Sequence, residues 1–300
     1  MTRSARPGAG GRRRHAFDPP AAARHNRVHM PLYDLGIIGA GNMAEAIARG
    51  VIRSALLRPD QIIAADVSPA RRQVFSEQLD VKSVDSNADA ARYARVLLLS
   101  VKPQQMADAL ATVAGAMRPD ALVVSIAAGT TTSSIERHLA DRDKPRVVRA
   151  MPNTPMLVGE GMTAVAGGAH ATADDVRRAR KLFESAGAVV EVDESLMDAV
   201  TAVSGSGPAY FFYLAEQMIA AAEQMGLTRE QARTLAARTA LGAAKMLVES
   251  PEEPQELRRQ VTSPGGTTEA AIRHMESRQV ADAVQQAIRA AERRGKELSK

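Results

Sequence analysis

Cysteine and tryptophan are absent from the 300 residues of the sequence, and the aromatic residues amount to five phenylalanines and four tyrosines. Without cysteine the chain has no disulfide bond, no thiolate metal site and no cysteine nucleophile. The three histidines that follow residue 30, His138, His170 and His274, form no H-x-x-x-H pair, so we expect no metal site. Scarce aromatic side chains also argue against sequence-tolerant binding of single-stranded nucleic acid, which depends on stacking platforms. No apolar run approaches the ~18 residues of a membrane span, so we expect no membrane partner.

The net charge of +5 belongs to the amino-terminal segment. Residues 1–30 contain seven arginines and one aspartate, and subtracting their charge of +6 leaves the rest of the chain at −1. This segment is rich in Gly, Pro, Arg and Ala without periodicity, which predicts a disordered basic tail. Ordered sequence begins directly after Met30, so we interpret Met30 as the natural start. The Arg-rich composition resembles a transit peptide, but no amphipathic helix accompanies it. We expect a cytoplasmic protein.

From Leu32 onward, strand-length apolar runs alternate with helical stretches. The runs lie at 34–39, 61–66, 95–101, 121–126 and 146–150, and the helical stretches at about 42–53, 69–79, 103–116 and 131–140. Two shorter strands near 162–166 and 188–192 flank a helix at about 172–186. Repeated β-α-β units with mostly apolar strands predict a parallel sheet covered on both faces. We expect residues 31–193 to form this α/β domain.

After Asp193 the strand pattern ends, and residues 194–300 are predicted to form an all-helical domain. Its helical segments lie at 195–225, 228–250, 254–262, 267–276 and 278–298. The segment from Tyr210 to Ala222 is apolar nearly all round, which is typical of a helix that is buried on every side. Either a partner subunit or ordinary packing within the domain can bury this segment.

A dinucleotide fingerprint of the G-x-G-x-x-A form follows the first predicted strand and opens the first predicted helix. Gly39 lies at the tight turn, Gly41 where a pyrophosphate approaches the backbone, and Ala44 where helix packs on strand. Because the motif has this strand–helix context, it predicts a Rossmann-type fold that binds a nucleotide.

The sequence leaves the choice between NAD and NADP open. Asp66 ends the second strand about 20 residues beyond the fingerprint, where an acidic side chain binds the ribose 2′-hydroxyl of NAD. Arg71 and Arg72 follow closely, and an arginine in this place can hold the 2′-phosphate of NADP instead.

Two further strands end in residues that suit a ligand, because ligands lie at the carboxyl ends of parallel strands. Lys102 follows the strand at 95–101 and can contact a cofactor ribose, while Pro103 sets the entry to the next helix. The small residues Ala127 and Ala128 follow the strand at 121–126 and leave room for a nicotinamide ring. Either segment can also be a plain strand-to-helix connection.

A Ser-Pro-Gly-Gly turn at Ser263–Gly266 runs directly into a predicted helix that begins with Thr267 and Thr268. The first turn of a helix has unpaired N–H groups and a partial positive charge, which suit a small carboxylate. The alternative is an N-capped helix without a ligand. Asn153 lies between two prolines and is predicted to hydrogen-bond the nicotinamide amide or a substrate carboxylate, unless it only holds its own turn.

Five motifs occur in an order that resembles the pyrroline-5-carboxylate reductases, which catalyse the last step of proline synthesis. They are Gly39-Ala40-Gly41-Asn42-Met43, Ser100-Val101-Lys102-Pro103, Met151-Pro152-Asn153-Thr154-Pro155, Ser204-Gly205-Ser206-Gly207-Pro208-Ala209-Tyr210 and Ser263-Pro264-Gly265-Gly266-Thr267-Thr268. The resemblance covers about residues 32–298. It implies a Rossmann domain followed by a helical domain that interlocks with a partner into a homodimer, often assembled into a decamer. It also implies hydride transfer from NADPH or NADH, commonly NADPH, to 1-pyrroline-5-carboxylate. Asp66 departs from members with a neutral residue there and leaves the cofactor preference open.

The resemblance also implies site residues by position. The cofactor would contact Ile38, Gly39, Ala40, Gly41, Asn42, Met43, Asn87, Ser100, Val101, Lys102, Pro103, Ala127 and Ala128, with Asp66 added from its place after the second strand. Gly265, Gly266, Thr267 and Thr268 would hold the carboxylate and ring of the substrate, together with Asn153. Thr268 is predicted to be catalytic, with its hydroxyl bonded to the imine nitrogen and relaying a proton. Such a reduction needs no nucleophile, metal or strong base.

Two other functions remain open at the level of sequence. A hydroxyacid dehydrogenase of similar build would need a catalytic Lys or His on an early helix of the second domain. Lys245 is the first lysine after Lys181, and it lies in the middle of an alanine-rich helix. A nucleotide-sensing or nucleic-acid-binding protein would use the basic tail, but the near-neutral remainder of the chain argues against a nucleic-acid partner.

Overall fold

The structure is a computed structural model that describes residues 32–298. The disordered tail predicted for residues 1–30 and the start predicted at Met30 lie outside the described residues, so both stay predictions. Within residues 32–298, no helix is long and apolar enough to cross a membrane. In the same range, no group of three or more His, Asp or Glu side chains could hold a metal ion.

The first part of the described chain is built on one eight-stranded sheet. The strands are β1 (Tyr33–Ile38), β2 (Ile62–Ala65), β3 (Lys82–Val84), β4 (Ala94–Leu99), β5 (Leu122–Ser125), β6 (Arg146–Met151), β7 (Gly161–Gly167) and β8 (Gly187–Glu191). Their order in the sheet is β3-β2-β1-β4-β5-β6-β7-β8. Neighbouring strands run parallel except for β6 and β7, which are antiparallel. The predicted parallel sheet is therefore confirmed, with one antiparallel pair.

Helices fill the connections between strands and make up the rest of the chain. They are α1 (Asn42–Arg53), α2 (Pro69–Gln73), α3 (Asn87–Tyr93), α4 (Met106–Val113), α5 (Thr132–His138), α6 (Ala173–Glu184), α7 (Met197–Val200), α8 (Gly207–Gln224), α9 (Arg229–Glu249), α10 (Pro254–Gln260), α11 (Thr267–Ser277) and α12 (Val280–Leu298). Helices α7 to α12 follow the last strand without interruption by sheet. The predicted fold class, a Rossmann-type sheet followed by helices, is confirmed.

The sheet is covered on both faces because its central strands are apolar along most of their length. Alternate residues of a strand point to opposite faces. Ile37 and Leu98 accordingly join the core formed with α1 and α6, while Ile38 and Leu97 join the core formed with α3, α4 and α5. All four side chains are fully buried. Because β1, β2, β4 and β5 run parallel to one another, their carboxyl ends meet at one edge of the sheet.

The sequence pattern misses two short elements, β3 and α3. β3 has three residues at the edge of the sheet, all exposed or half-buried, so it carries no apolar run. α3 has seven residues, too few to show a helical period, and it begins after Ser86, whose hydroxyl accepts a hydrogen bond from Asp89 N at 3.2 Å. The omission matters for the site because Asn87 begins α3.

The single helix predicted over 195–225 is wrong. The chain makes a 3₁₀ turn at Glu194–Leu196, the short α7 and a π-turn at Thr201–Gly205 before α8 begins. Ser206 N donates to Thr201 O at 2.8 Å, the i to i+5 bond of a π-turn. Pro208 lies in the first turn of α8, where its missing N–H costs nothing, so the helix restarts here and does not continue from α7.

Helix α8 is largely exposed in the chain, and Gly207 is its one buried residue. Phe211, Phe212 and Tyr213 are 65%, 64% and 66% exposed. α8 packs against α9, whose Leu235 is itself 55% exposed. Packing within the chain therefore leaves the apolar face uncovered, and the interpretation that the helical region covers α8 by itself is wrong.

Candidate active site

The turn from Gly39 to Gly41 joins β1 to α1 at the carboxyl edge of the sheet. Gly39 has a φ of +91°, and a β-carbon there would lie 2.9 Å from Ser100 O, so this position requires glycine. At Gly41 a β-carbon would meet no atom within 4 Å, which leaves the space over this residue open to a ligand. α1 begins at Asn42 without a side-chain cap, so its first N–H groups are available to an anion.

A cleft of about 380 Å³ opens over this turn, a volume typical of small-molecule sites. Its lining comes from the ends of β1, β2 and β4 and from α3 and α4. Seven of the predicted cofactor residues line it: Gly39, Gly41, Asp66, Asn87, Ser100, Val101 and Lys102. The structure thus brings together residues that lie far apart in the sequence.

The other predicted cofactor residues lie outside the lining of the cleft. Ile38 and Ala40 are buried, Asn42 and Met43 begin α1, Pro103 begins a 3₁₀ turn, and Ala127 and Ala128 follow β5. They border the same edge of the sheet, and a direct contact with the cofactor stays a prediction for each of them.

Five residues that line the cleft are missed by the sequence analysis: Val67, Gln105, Asp108, Ala109 and Thr112. The last four have the i, i+3, i+4, i+7 spacing of a single helix face. They follow Lys102 directly on α4 and its 3₁₀ entry, and that spacing is the signal that could have identified them. Thr112 Oγ1 also accepts a hydrogen bond from Asn87 Nδ2 at 3.2 Å, which fixes the amide of a predicted cofactor residue.

The Asp66 carboxylate is held between two backbone N–H groups. Its Oδ2 accepts from Ala40 N at 2.7 Å, and its Oδ1 accepts from Ser68 N at 2.8 Å. The first bond joins the end of β2 to the glycine turn. Asp66 therefore supports the turn and lines the cleft with the same side chain.

Neither of the arginines that follow β2 is part of the cleft lining. Arg71 Nε donates to Ala40 O at 2.5 Å, and its Nη2 donates to Glu45 Oε2 at 2.7 Å. Arg72 Nη1 donates to two carbonyl oxygens of the loop after β2, at 2.8 and 3.1 Å. Burial raises the pKa of the Glu45 carboxyl, but the hydrogen bonds and charges of Arg71 and Arg49 outweigh it and hold that pKa below its ordinary value.

A charged cluster links the start of α5 to the start of the helical region. Glu194 accepts hydrogen bonds from Thr132 N at 2.7 Å and from Thr132 Oγ1 at 2.6 Å. Arg149 of β6 is buried, and its Nη1 lies 3.5 Å from Glu194 Oε1, while its Nη2 makes no hydrogen bond. Because Thr132 begins α5, Glu194 fixes the helix that follows the Ala127–Ala128 segment.

Asn153 is buried, and both ends of its amide are bonded within the chain. Its Oδ1 accepts from Met162 N at 2.8 Å, and its Nδ2 donates to Ser204 O at 3.2 Å. The amide thus joins the end of β6 to β7 and to the π-turn before α8. The geometry gives Asn153 a positioning role, and direct ligand binding by this side chain stays a prediction.

The corner Ser263–Thr268 lies in the helical region and is not part of the cleft lining of its own chain. Gly265 has a φ of +70°, and its N–H donates to Glu269 Oε2 at 2.7 Å, which braces the turn from the first turn of α11. α11 begins at Thr267 without a side-chain cap. Thr267 is exposed and Thr268 is half-buried, so this helix start is open to a ligand or to another chain.

Two family models match separate parts of the chain. Residues 34–129 match the family described as NADP oxidoreductase coenzyme F420-dependent, and residues 194–298 match pyrroline-5-carboxylate reductase dimerisation. A pyrroline-5-carboxylate reductase of Synechocystis is 43% identical over 267 residues, which cover 89% of this chain and 98% of the relative. The chain belongs to the pyrroline-5-carboxylate reductase family.

Solved structures of the pyrroline-5-carboxylate reductase family have the same fold. The reductase of Coxiella burnetii is 38% identical, covers 90% of this chain and 100% of its own, and superposes with a TM-score of 0.83. The Plasmodium falciparum reductase, solved with NADP bound, is 28% identical and superposes with a TM-score of 0.80 over 89% of this chain and 98% of its own. The match to the dimerisation family contains both the exposed helix α8 and the Ser263–Thr268 corner.

Proposed function

We propose that this protein reduces 1-pyrroline-5-carboxylate to L-proline with a hydride from NAD(P)H. The observation that carries the proposal is the family likeness over nearly the whole described chain, from the glycine turn to α12. We also propose that the chain divides functionally near Asp193, with a dinucleotide-binding domain at 31–193 and a helical dimerisation and substrate domain at 194–300. The end of the sheet at β8 and the start of the dimerisation match at residue 194 support that division.

The cleft residues fit a nicotinamide dinucleotide. The open space over Gly41 admits a pyrophosphate against the backbone, and the uncapped start of α1 offers it N–H donors. Asp66 at the end of β2 is placed for ribose hydroxyls. When bound, the nicotinamide supplies the hydride, a chemistry that no protein side chain provides. The NADP-bound relative of Plasmodium falciparum supports this class of cofactor.

The Ser263–Thr268 corner fits the substrate, a cyclic imine that carries a carboxylate. The uncapped N–H groups at the start of α11 and the Thr267 hydroxyl bind the carboxylate. The Thr268 hydroxyl donates a hydrogen bond to the imine nitrogen, which makes the ring carbon more electrophilic. Thr268 then relays a solvent proton to that nitrogen, and with a hydride added to the ring carbon the C=N bond becomes CH–NH. Fixed orientation of the ring supplies much of the rate.

We further propose that the protein acts as a homodimer in which the corner of one protomer completes the cleft of its partner. Two observations support this assembly: the uncovered apolar face of α8, and the absence of the corner from the cleft lining of its own chain. Assembly of dimers into a decamer and a cytoplasmic location belong to the same proposal, and the family resemblance supports them.

A coupled assay tests the reaction. NAD(P)H oxidation is measured with pyrroline-5-carboxylate, with a 2-keto acid and with neither, and proline is quantified as product. We expect oxidation with pyrroline-5-carboxylate alone. Oxidation with the 2-keto acid, and none with pyrroline-5-carboxylate, would favour a hydroxyacid dehydrogenase. Loss of that dehydrogenase activity in Lys245→Ala would then identify Lys245 as its catalytic lysine. In the reductase, Lys245→Ala leaves turnover unchanged.

A further inference from the structure

We infer that Asp66 makes this protein prefer NADH over NADPH, an inference that rests on the proposed function. The two cofactors differ at the adenine ribose, where NADPH carries a 2′-phosphate in place of a hydroxyl. Rossmann-type folds bind this ribose at the end of the second strand. Three charged side chains of this chain are candidates to meet it there: Asp66, Arg71 and Arg72.

Of these three side chains, only Asp66 lines the cleft. Its carboxylate is fixed by Ala40 N and Ser68 N at 2.7 and 2.8 Å. An ionised carboxylate has about four acceptor positions, so two remain for ribose hydroxyls. A 2′-phosphate in the same place would bring two anions together, which disfavours NADPH.

The side-chain donor that the loop after β2 offers a phosphate is the Ser68 hydroxyl, and Ser68 lies outside the cleft lining. The Ser68 N–H, a backbone donor in the right place, is already bonded to Asp66. Val67 lines the cleft and is 82% exposed, but its side chain has no polar group. The Val67 side chain and the Ser68 N–H therefore suit a ribose with an uncharged 2′-hydroxyl better than a ribose with a 2′-phosphate.

Both arginines are committed elsewhere. Arg71 pairs with Glu45 at 2.7 Å, and the two side chains are only 26% and 18% exposed. A second bond from Arg71 to Ala40 O anchors it behind the glycine turn. Arg72 donates to two carbonyl oxygens of the loop. To reach a 2′-phosphate, either arginine would have to break charge-assisted hydrogen bonds that it already makes.

Equilibrium binding tests the inference without a substrate. The dissociation constants of NADH and NADPH are measured by fluorescence titration of the full chain, with ADP-ribose and 2′-phospho-ADP-ribose as competing probes. We expect NADH to bind about tenfold more tightly or better, the size of effect that one charge-assisted bond supplies. The ratio of the NADPH dissociation constant to the NADH dissociation constant should fall with added salt, because ions screen the repulsion between the Asp66 carboxylate and the 2′-phosphate.

Matched variants locate the effect. Asp66→Ser should reduce the NADH preference about tenfold, mainly through tighter NADPH binding. Asp85→Asn removes an exposed carboxylate after β3, at the same edge of the sheet but outside the cleft lining, and should leave the ratio of the two dissociation constants unchanged. Arg71→Gln and Arg72→Gln should weaken both cofactors alike.

Three results would overturn the inference: equal or tighter binding of NADPH by the unmodified protein, an unchanged ratio in a folded Asp66→Ser variant, or selective loss of NADPH binding in either arginine variant. The first result decides the question even if Asp66→Ser does not fold. Preferential binding of NADH without reduction of pyrroline-5-carboxylate would contradict the proposed function and leave this inference standing.

Discussion

Glu194 accepts two hydrogen bonds from a single residue, Thr132, through the backbone N–H at 2.7 Å and the hydroxyl at 2.6 Å. The pair joins the first residue of the 3₁₀ turn after β8 to the first residue of α5. Arg149, buried in β6, balances the charge of the carboxylate. The segment before α5 contains Ala127 and Ala128, so this pair positions a segment proposed to border the cofactor.

We predict that Glu194→Gln lowers stability and turnover. Glutamine can accept one of the two bonds, and it removes the nearer of the two carboxylates that face the buried Arg149, since Asp198 Oδ1 lies 3.9 Å from its Nη2. The change should cost about 1–3 kcal/mol. Thermal unfolding and kcat/KM report the two effects. Glu191→Gln, at the exposed end of β8, is the control and should behave as the unmodified protein. Unchanged unfolding and turnover in Glu194→Gln would mean that the pair has no positioning role.

The two glycines of the turn should respond differently to alanine. Gly39→Ala places a β-carbon 2.9 Å from Ser100 O at a φ of +91°, so it should lower stability by about 1–3 kcal/mol. Gly41→Ala meets no atom of the chain and should unfold at the same temperature, yet bind NADH about tenfold more weakly or worse. Thermal unfolding and fluorescence titration separate the outcomes. Full cofactor affinity in Gly41→Ala would show that the space over this residue is not used.

The Glu45–Arg71 pair predicts a pH-dependent stability. The folded-state pKa of Glu45 lies below its ordinary value of 4.5, so the carboxylate stabilises the fold above that pH. This contribution is lost as the pH falls through the folded-state pKa. Glu45→Gln should therefore be less stable than the unmodified protein near neutral pH, with a difference that shrinks below pH 4.5. Denaturant unfolding at several pH values measures it, with the exposed Glu77→Gln as control. A pH-independent difference would contradict this origin.

Thr268→Ala should lose turnover and keep cofactor binding. Removal of a hydroxyl that donates to the imine nitrogen should lower kcat about 100-fold, a typical size for general acid catalysis. Thr268→Ser keeps the hydroxyl and should retain most of the activity. Steady-state kinetics and NADH titration provide the comparison. An equal loss of turnover in Thr268→Ala and Thr268→Ser would indicate that Thr268 acts through packing of its methyl group, which both variants lack.

Mixed dimers test whether two protomers share one site. Gly41→Val blocks the cleft, Thr268→Ala removes the corner, and neither variant should be active alone. If the corner serves the partner's cleft, each mixed dimer has one intact site, and random mixing restores about a quarter of full activity. If cleft and corner of the same chain form the site, mixing restores none. Subunit exchange is verified with differently tagged chains.

Some features of the site follow from the sequence because they depend on local backbone geometry. The glycine fingerprint is such a feature, since the φ of Gly39 is required by the turn itself. The alternation of strands and helices follows in the same way from apolar runs. β3 and α3 are too short for a period, and the break before α8 depends on one π-turn, so the pattern missed all three.

The sequence by itself determined the alternation of the longer strands and helices, the nucleotide turn and the glycine-threonine corner, because each depends on residues that are neighbours in the chain. It left open whether Asp66, Arg71 or Arg72 faces the cleft. Only the tertiary structure decided this, because the partners of Asp66 and Arg71, which are Ala40 and Glu45, belong to another β-α unit. The tertiary structure also decided that α8 stays exposed and that the corner lies outside the cleft of its own chain, since both depend on how separate helices pack.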